Sequence, residues 1–331
     1  MGSALLEVCD MEVTFRIGKQ AYPALRQISF RVEEKETVGI VGESGCGKSL
    51  TSLAVMGLLP ETAEMTRGAM TLDGKPLDPA SPEDWSSIRG RQASMIFQNP
   101  MSALNPLMPV GKQIAEMASI HLSVPTREAR RLATEMMARV GLSRVERLYG
   151  DYPHQLSGGM MQRIMIAMAL ICRPKLLIAD EPTTALDVTI QAQILDLLNE
   201  MNRAMGTAIL FISHDLGVIR EVCDRVVVMY AGYVVEDAPV GEILERPKHP
   251  YTTGLLQSLP SLGKKGRPLY AIPGRVPPLA DRGTGCPFAG RCPSATELCR
   301  SKTPELREVE SGHRVRCHLY ESDGRAVEWR R

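Results

Sequence analysis

The chain has 331 residues, of which 44% are hydrophobic and 23% are charged, and its formal net charge is +1. This composition supports a packed core, and the near-neutral charge gives no electrostatic reason to expect a nucleic-acid-binding protein. No apolar run approaches the roughly 20 residues that cross a bilayer, and the first residues do not form a secretory signal. We therefore expect a cytosolic chain.

Strand patterns and helix patterns alternate from the N-terminus onward. Residues 5–41 contain short apolar runs separated by charged turns, and they end in the buried-strand pattern of Val38–Gly42. Ala93–Gln98 is a second strand pattern, and residues 111–148 have helical periodicity. Met160–Arg173 is apolar on nearly every side, which predicts a buried helix.

The alternation continues in the following segments. Lys175–Pro182 and Ala208–Asp215 are apolar strand patterns that end in polar residues. Thr189–Gly206, between them, predicts an amphipathic helix with a glycine stop. Arg225–Ala238 predicts a β-hairpin that turns at Ala231-Gly232. Strands that alternate with helices predict an α/β fold with a largely parallel sheet.

The composition changes after about residue 245, where Pro and Gly become frequent. We place a domain boundary there, so that residues 1–248 form the main domain, with a helical subdomain at about 100–160. Residues 249–331 form a small, loop-rich extension, and we do not expect it to build a large core. The extension contains four of the eight cysteines, which are Cys286, Cys292, Cys299 and Cys317.

A phosphate-binding loop is the most specific motif. Gly42–Ser49, which reads GESGCGKS, matches G-x-x-x-x-G-K-[ST] in full, directly after a strand pattern and at the start of a helix pattern. Backbone N–H groups and the helix N-terminus would therefore face the phosphates, Lys48 would reach the β- and γ-phosphates, and Ser49 would bind Mg²⁺. The predicted ATP-binding residues in this loop are Gly42, Glu43, Ser44, Gly45, Cys46, Gly47, Lys48 and Ser49.

Further strand patterns end in side chains suited to phosphate hydrolysis. Asp180 ends one strand near the expected metal, and Glu181, which follows it, would orient the attacking water. His214 follows another strand and is a candidate γ-phosphate sensor, and Gln98 ends a third, from which it would reach a metal-bound water. Alone, either of the last two is an ordinary strand-end residue. We predict catalytic roles for Glu181, His214 and Gln98, and Mg²⁺ ligation by Ser49, Gln98 and Asp180.

A second glycine-rich turn, Leu156–Arg163 (LSGGMMQR), lies far downstream of the phosphate loop. The order of the phosphate loop, the strand-end glutamine, this turn, the Asp-Glu strand and the strand-end histidine resembles the ATP-binding cassette (ABC) family. The resemblance covers residues 1 to about 245. It implies a P-loop NTPase fold of ABC type with a helical subdomain, and hydrolysis of ATP with Mg²⁺.

The same resemblance implies a head-to-tail pair of cassettes, in which the second turn of one cassette caps the ATP held by the other. The residues implied to contact the partner's ATP are Ser157, Gly158, Gly159 and Gln162. Asp187 is the implied D-loop residue that crosses to the partner. An aromatic side chain near the N-terminus is implied to stack on adenine; Phe15 is our choice by spacing and Tyr22 is the alternative, although Phe15 also suits a place in a strand.

Three segments carry a closer resemblance, namely Tyr152–Arg163, Ala179–Ile194 and Arg246–Pro260. They look like the ATPase subunits of dipeptide/oligopeptide ABC importers, a group that includes nickel importers. His249–Tyr251 opens the C-terminal extension typical of that group. The resemblance implies a peripheral ATPase on the cytoplasmic face of the inner membrane that powers import of di- or oligopeptides.

The implied partners are a second, different ATPase subunit, two transmembrane permeases and an extracytoplasmic substrate-binding protein, but no nucleic acid. The helical segment at about 100–155 is expected to contact a membrane partner. The sequence does not fix the solute: dipeptide, oligopeptide, nickel chelate and short sugar stay open, with peptide favoured. The single compact cassette argues against a soluble ABC ATPase that acts on ribosomes or nucleic acid, and the His249–Tyr251 extension argues against an exporter.

The cysteine spacing C-x5-C-x6-C-x17-C differs from that of zinc fingers, which use close pairs. Four thiolates suit an iron–sulfur cluster, and members of this importer group are similar in carrying a C-terminal 4Fe–4S site. Zinc, and free or disulfide-bonded cysteines, are the alternatives. We expect a cluster here to stabilise the extension rather than to act in redox chemistry. Cys46 is expected to serve as a small residue, although a thiol reagent there would block ATP.

Overall fold

The structure is a computed structural model that describes residues 4–79, 81–184, 186–259, 270–321 and 325–326. The strands are β1 (Ala4–Ile17), β2 (Gln20–Glu33), β3 (Thr37–Val41), β4 (Ala63–Leu72), β5 (Lys75–Pro76), β6 (Ala93–Ile96), β7 (Leu176–Asp180), β8 (Ala208–Ile212), β9 (Arg225–Tyr230), β10 (Tyr233–Pro239), β11 (Arg307–Glu310), β12 (His313–Val315) and β13 (Arg325–Ala326). The helices are α1 (Lys48–Val55), α2 (Pro82–Ile88), α3 (Pro100–Ala103), α4 (Val110–Leu122), α5 (Thr126–Arg139), α6 (Val145–Leu148), α7 (Gly158–Leu170), α8 (Val188–Met205), α9 (Leu216–Val222), α10 (Val240–Glu245), α11 (Pro250–Gln257) and α12 (Glu297–Ser301).

Internal contacts divide the chain into two compact units. The first unit comprises residues 1–5, 32–36 and 80–212, and the second comprises residues 6–31, 37–79 and 213–331. The domain boundary predicted after residue 248 stays a prediction. None of the helices in the described part of the chain combines the length and apolarity that a bilayer-spanning helix needs.

Parallel strands form the sheet of the first unit, in the order β6, β7, β8. Ile178 at its centre pairs with Met95 on one side and Leu210 on the other. Every residue of β7 and β8 is buried, as expected for parallel strands covered on both faces. Because parallel strands share a carboxyl edge, Asp180 ends β7 opposite Ile212. The parallel sheet predicted from the sequence is thereby confirmed.

Helices of the first unit follow the predicted periodicity. Helices α4 and α5 cover the segment predicted to be helical, and Ala129 and Ala133 of α5 are fully buried. Helix α7 buries most of its residues, including Ile164 and Leu170, as the apolar pattern predicts. Helix α8 ends at Gly206, whose φ of 68° is the left-handed conformation that favours glycine at a helix end.

The second unit contains the strand that leads into the phosphate loop. Strand β3 pairs in parallel with β9, and β9 pairs antiparallel with β10. The predicted hairpin turn is present at Ala231 and Gly232, which have φ values of 48° and 88°, as a two-residue hairpin turn requires. A separate antiparallel sheet has the order β2-β1-β4-β5. The sequence predicted only short N-terminal segments, whereas β1 and β2 have 14 residues each.

The C-terminal extension adds strands and a small core to the second unit. Strand β12 pairs with β10, so that Val315 lies opposite Glu236, and β11 pairs with β12. Phe288 packs against Tyr251 and Tyr230, with ring centroids 5.4 and 5.2 Å apart. Aromatic rings bury large apolar areas, so these contacts stabilise an extension whose sequence predicted mainly loops.

Candidate functional site

The phosphate loop joins the end of β3 to the start of α1 in a conformation that requires glycine at two positions. Gly42 has a φ of 154°, and a Cβ atom there would lie 2.2 Å from the Met229 carbonyl oxygen. Gly47 has a φ of 109°, and a Cβ atom there would lie 2.5 Å from Leu25 Cδ2. Larger residues would push the loop away from the strand, so the glycines are needed for its shape.

Lys48 lies at the first position of α1 and reaches back over the loop. Its Nζ donates to the carbonyl oxygens of Gly42 at 2.8 Å and Glu43 at 3.4 Å. The side chain is only 5% exposed, and the two hydrogen bonds hold its ammonium group against the loop. A fixed ammonium beside backbone N–H groups at a helix N-terminus is suited to binding phosphate.

Cys46 is fully buried in this loop, and burial raises the pKa of its thiol. The thiolate is the reactive form of cysteine, so burial slows the reaction of this thiol with a reagent. The block of ATP binding by such a reagent stays a prediction. The Cys46 carbonyl oxygen accepts a hydrogen bond of 2.9 Å from the N–H of Gly232. Cys46 therefore fills space and anchors the loop to the β9–β10 turn.

The C-terminal extension contacts the phosphate loop directly, which the sequence did not predict. The Tyr251 hydroxyl oxygen accepts a hydrogen bond of 2.9 Å from the backbone N–H of Glu43. Arg291 forms an ion pair with the Glu43 carboxylate at 2.6 Å, and Arg282 donates to the Gly45 carbonyl oxygen at 3.0 Å. In the sequence, only the His-Pro-Tyr segment indicated that the extension has a specific role. Contacts between residues so far apart leave no periodic pattern.

In the first unit, the strand-end acids are held in distinct environments. Asp180 ends β7 and is 5% exposed. Glu181 follows with a φ of 47°, which is uncommon for a residue other than glycine and is found preferentially at functional sites. Its Oε2 accepts hydrogen bonds of 2.9 Å from Gln98 Nε2 and 2.9 Å from Thr184 Oγ1. The structure thus brings Gln98 and Glu181 together.

The signature turn lies at the N-terminus of α7. The Ser157 Oγ caps the helix by accepting a hydrogen bond of 3.3 Å from the N–H of Met160. Ser157 and Gly158 are exposed, and a Cβ atom on Gly158 would meet no atom within 4 Å. Gln162 differs: its side chain is 2% exposed, one turn into the helix. In the isolated chain the exposed part of the turn is therefore Ser157 and Gly158.

Four further predicted residues lie as follows. Asp187 is exposed and caps α8 by accepting a hydrogen bond of 3.0 Å from the N–H of Ile190. His214 follows β8 along the chain, but it belongs to the second unit, and it is exposed. Phe15 is half-buried in β1, and Tyr22 is half-buried in β2. Adenine stacking by Phe15, with Tyr22 as the alternative, stays a prediction.

The four C-terminal cysteines line one cavity of about 120 Å³, together with apolar side chains such as Phe288, Leu298 and Leu319. Burial raises the pKa of Cys286 and of Cys317 to about 11, while hydrogen bonds from the backbone N–H groups of Phe288 and Leu319 oppose this rise. The arrangement therefore combines four soft sulfur ligands with N–H donors in an apolar wall, as metal-binding thiolate sites do.

Comparisons with known proteins identify the family. An ABC transporter family model matches residues 25–184, and a model of the oligopeptide/dipeptide transporter C-terminal region matches residues 235–299. The oligopeptide transport ATP-binding protein AppD of Bacillus subtilis (strain 168) is 48% identical over 323 residues, which are 97% of this chain and 98% of AppD. The chain belongs to the ABC transporter family.

Other relatives agree with this assignment. A probable peptide ABC transporter ATP-binding protein, y4tR of Sinorhizobium fredii, is 50% identical over 95% of this chain and 94% of its own length. The solved structure of a dimeric ATP-binding cassette, in a post-hydrolysis state with ADP and Pi, has a TM-score of 0.64 and 27% identity, over 71% of this chain and 98% of that chain. The chain is therefore an ABC-type ATPase with the predicted P-loop fold.

Proposed function

We propose that the chain is the ATPase subunit of an importer of di- or oligopeptides. The observation that carries the proposal is the C-terminal oligopeptide/dipeptide transporter region, whose Tyr251 contacts the phosphate loop at Glu43. Relatives with peptide transport in their names match nearly the full chain. The extension matches that of oligopeptide and dipeptide transporters, and it contacts the ATP-binding loop. Both observations favour a peptide importer over other ABC transporters.

The ATP chemistry follows residue by residue. Gly42–Ser49 and Lys48 bind the phosphates, and Glu181 orients the attacking water while Gln98 holds its carboxylate. His214 supports the γ-phosphate. Ser49, Gln98 and Asp180 are the proposed Mg²⁺ ligands, because their hydroxyl, amide and carboxylate oxygens are hard donors of the kind that Mg²⁺ prefers. These groups supply positioning and electrostatic stabilisation rather than covalent chemistry.

A second cassette completes each ATP site in this proposal. The exposed Ser157 and Gly158, at the N-terminus of a 13-residue helix, offer free backbone N–H groups to a phosphate from outside the chain. Gly159, Gln162 and Asp187 are the other residues that we assign to the contact with the partner cassette. We expect the partner to be a different ATPase subunit, because importers of the resembled group usually pair two, so the complex is a heterodimer of cassettes.

A groove of about 570 Å³ in the first unit is the proposed permease contact. It is lined by residues that include Pro106, Leu107, Tyr152 and Gln155. Leu107 is 86% exposed in the segment that joins α3 to α4. Gln113 holds this segment in place with three hydrogen bonds. Its Oε1 accepts from the N–H of Asn105 at 2.9 Å, and its Nε2 donates to the carbonyl oxygens of Asn105 at 2.9 Å and Met108 at 2.8 Å. An exposed leucine that lines a groove is suited to contact with a helix from a membrane partner.

The permease contact would place the chain on the cytoplasmic face of the membrane, as a peripheral subunit. A permease pair and a substrate-binding protein would then select the solute. Peptide is the proposed solute, and nickel or another small solute is the alternative that the binding protein would reveal.

The cysteine cavity fits an iron–sulfur cluster better than a single zinc ion. Around one tetrahedral zinc, with Zn–S bonds of about 2.3 Å, the sulfurs would lie about 3.8 Å apart. Among the described residues, no three of the cysteine thiols lie within 4.8 Å of one another. We propose that Cys286, Cys292, Cys299 and Cys317 hold a 4Fe–4S cluster that stabilises the extension.

Affinity purification from gently solubilised native membranes, under anaerobic conditions, tests this function. Mass spectrometry is expected to identify two permeases, a second cassette and a binding protein with a peptide bound. Iron and sulfide analysis of the same sample tests the cysteine site. Recovery with ribosomes or nucleic acid, and without permeases, would contradict the importer. Zinc in place of iron would contradict only the cluster.

A further inference from the structure

The extension fixes the phosphate loop at four atoms, and all the groups involved lie in the second unit. Tyr251 accepts from the Glu43 N–H, and Arg282 donates to the Gly45 carbonyl oxygen. Arg291 binds the two carboxylate oxygens of Glu43 with two separate nitrogens, at 2.6 and 3.0 Å. Both the backbone and the side chain of the loop are thus held by residues that lie more than 200 positions away.

The arginines are themselves held in place. The side chain of Arg291 is 8% exposed, and it also donates to the carbonyl oxygens of Pro273 at 2.7 Å and Ile272 at 3.2 Å. Arg282 donates to the carbonyl oxygen of Ala24 at 3.1 Å. A planar guanidinium fixed by several acceptors loses little further freedom when it binds a carboxylate. The Arg291–Glu43 pair therefore differs from an exposed salt bridge, which contributes little.

Arg291 also connects the loop to the cysteine cavity. It directly precedes Cys292, and Cys286 lies five residues before it. Between them, Phe288 packs against Tyr251, the residue that contacts the Glu43 N–H. The short segment 286–292 thus carries two cavity cysteines, one core aromatic ring and the arginine. Whatever holds the cysteines in place also places Arg291.

We propose that the four-cysteine site and ATP binding are coupled through Arg291, which acts as a positioning residue for the phosphate loop. Arg291 compensates the Glu43 carboxylate, whose negative charge would otherwise repel the phosphates, and it holds the loop in the shape that binds them. Order in segment 286–292 therefore favours ATP binding, and by linkage ATP favours retention of whatever the cysteines bind. The coupling rests on the proposed metal site, whereas the positioning role rests only on ATP binding by the P-loop.

The positioning role is tested by measuring affinity for a fluorescent ATP analogue, together with KM and kcat of the assembled ATPase. Arg291→Gln is expected to raise Kd and KM about five- to twentyfold, within the range typical of linked sites, with kcat nearly unchanged. Arg291→Lys keeps the charge and loses the fork geometry, so an intermediate Kd is expected. Arg300→Gln is the matched control, because Arg300 is exposed and also adjoins a cysteine.

Three outcomes decide this first test. Raised KM with retained kcat, and partial recovery in Arg291→Lys, support the positioning role. An unchanged Kd in Arg291→Gln overturns it, and so does a loss of kcat at unchanged KM. If Arg291→Gln does not fold, Arg291→Lys is measured alone, and an unchanged Kd in that variant overturns the role.

The coupling is tested by removing the metal from the purified chain with an iron chelator, and separately by Cys292→Ala. Both are expected to raise Kd for the ATP analogue about five- to twentyfold, and saturating ATP is expected to slow the loss of cluster absorbance. In Arg291→Gln, chelation is expected to change Kd no further, because the connecting residue is gone. An unchanged Kd after chelation overturns the coupling. Zinc in place of iron would contradict only the cluster, whereas absence of any bound metal would contradict the coupling and the cluster together. The Arg291 variants would still decide the positioning role.

Discussion

The side-chain amide of Gln98 donates a hydrogen bond of 2.9 Å to the carboxylate of Glu181. Gln98 follows β6 and Glu181 follows β7, so the shared carboxyl edge of two parallel strands brings them together. Since the amide nitrogen donates to Glu181, the amide oxygen is the atom of Gln98 that would contact Mg²⁺ in the proposed site. This pair fixes the direction of the proposed water-orienting carboxylate.

Glu181→Gln is expected to lower kcat by roughly 10²–10⁴-fold, because the amide cannot accept a proton from the attacking water. The substituted oxygen can still accept from Gln98, so the ATP dissociation constant and the thermal stability are expected to stay unchanged. Steady-state ATPase assays and a fluorescent ATP analogue measure both quantities. Glu200→Gln, an exposed acid on α8, is the control. Rapid turnover by Glu181→Gln would contradict the role of Glu181.

Gly158→Asp is expected to abolish ATP-dependent association with the partner cassette and to leave the fold intact. A side chain there meets no atom within 4 Å, and a carboxylate in the first turn of a helix is not destabilising. The new charge would repel the partner's γ-phosphate. Size-exclusion chromatography with both subunits and ATP measures the association. Gly241→Asp is the matched control, since Gly241 lies in the first turn of α10 with equally open space. Normal association of Gly158→Asp would refute the signature role.

Leu107→Glu is expected to reduce recovery of the permeases about tenfold, because a charge would have to be desolvated in an apolar contact. Leu107 is 86% exposed, so the substitution should not disturb the fold. Ile120→Glu is the control, because Ile120 is 62% exposed on α4 and does not line the groove. Quantitative mass spectrometry of the purified complex gives the ratio of subunits. Equal recovery in both variants would place the permease contact elsewhere.

The buried His249 is expected to make the fold sensitive to mild acid. Burial lowers the pKa of His249 to about 4, from an ordinary value of 6.5. Between these values the unfolded chain binds the proton and the folded chain does not. The free energy of unfolding is therefore highest above pH 6.5, and it decreases as the pH falls toward 4. The loss is about 2 kcal/mol at pH 5. Nearby Glu236 has a lowered pKa and adds its own loss only at lower pH.

Urea unfolding at several pH values measures this effect. His249→Asn keeps an acceptor for the N–H of Tyr251, which His249 Nδ1 caps at 3.1 Å, and it removes the titrating ring. The variant is therefore expected to lose about 2 kcal/mol less stability than the natural chain between pH 7 and pH 5. Parallel curves for the two proteins would show that His249 does not carry the effect.

The sequence predicted the local features of the cassette well. The phosphate loop, the strand-end acids and the buried helix α7 were predictable because each depends on a short pattern between two elements. The burial of Gln162 was not predicted: its side chain is 2% exposed in the isolated chain, and the apolar periodicity of α7 was the available signal. Its contact with the partner's ATP stays a prediction. The two long N-terminal strands were underestimated, because charged residues interrupt their apolar alternation.

The contacts of the extension were not predictable from the sequence. Arg291 reaches Glu43 across 248 positions, and no local pattern encodes such a pair. The strand pair β11 and β12 was missed because both strands are short, and β11 has no residue that is fully buried. Tertiary pairing with β10, rather than local propensity, decides that these residues form strands.

The most direct test of the central claim is peptide uptake into membrane vesicles. The vesicles contain the chain, its permeases and its second cassette. With the binding protein, a labelled oligopeptide and ATP on the appropriate sides, the account predicts accumulation that requires ATP and is lost in Glu181→Gln. A complex that hydrolyses ATP but moves no peptide, or that accumulates peptide equally well with Glu181→Gln, would contradict it.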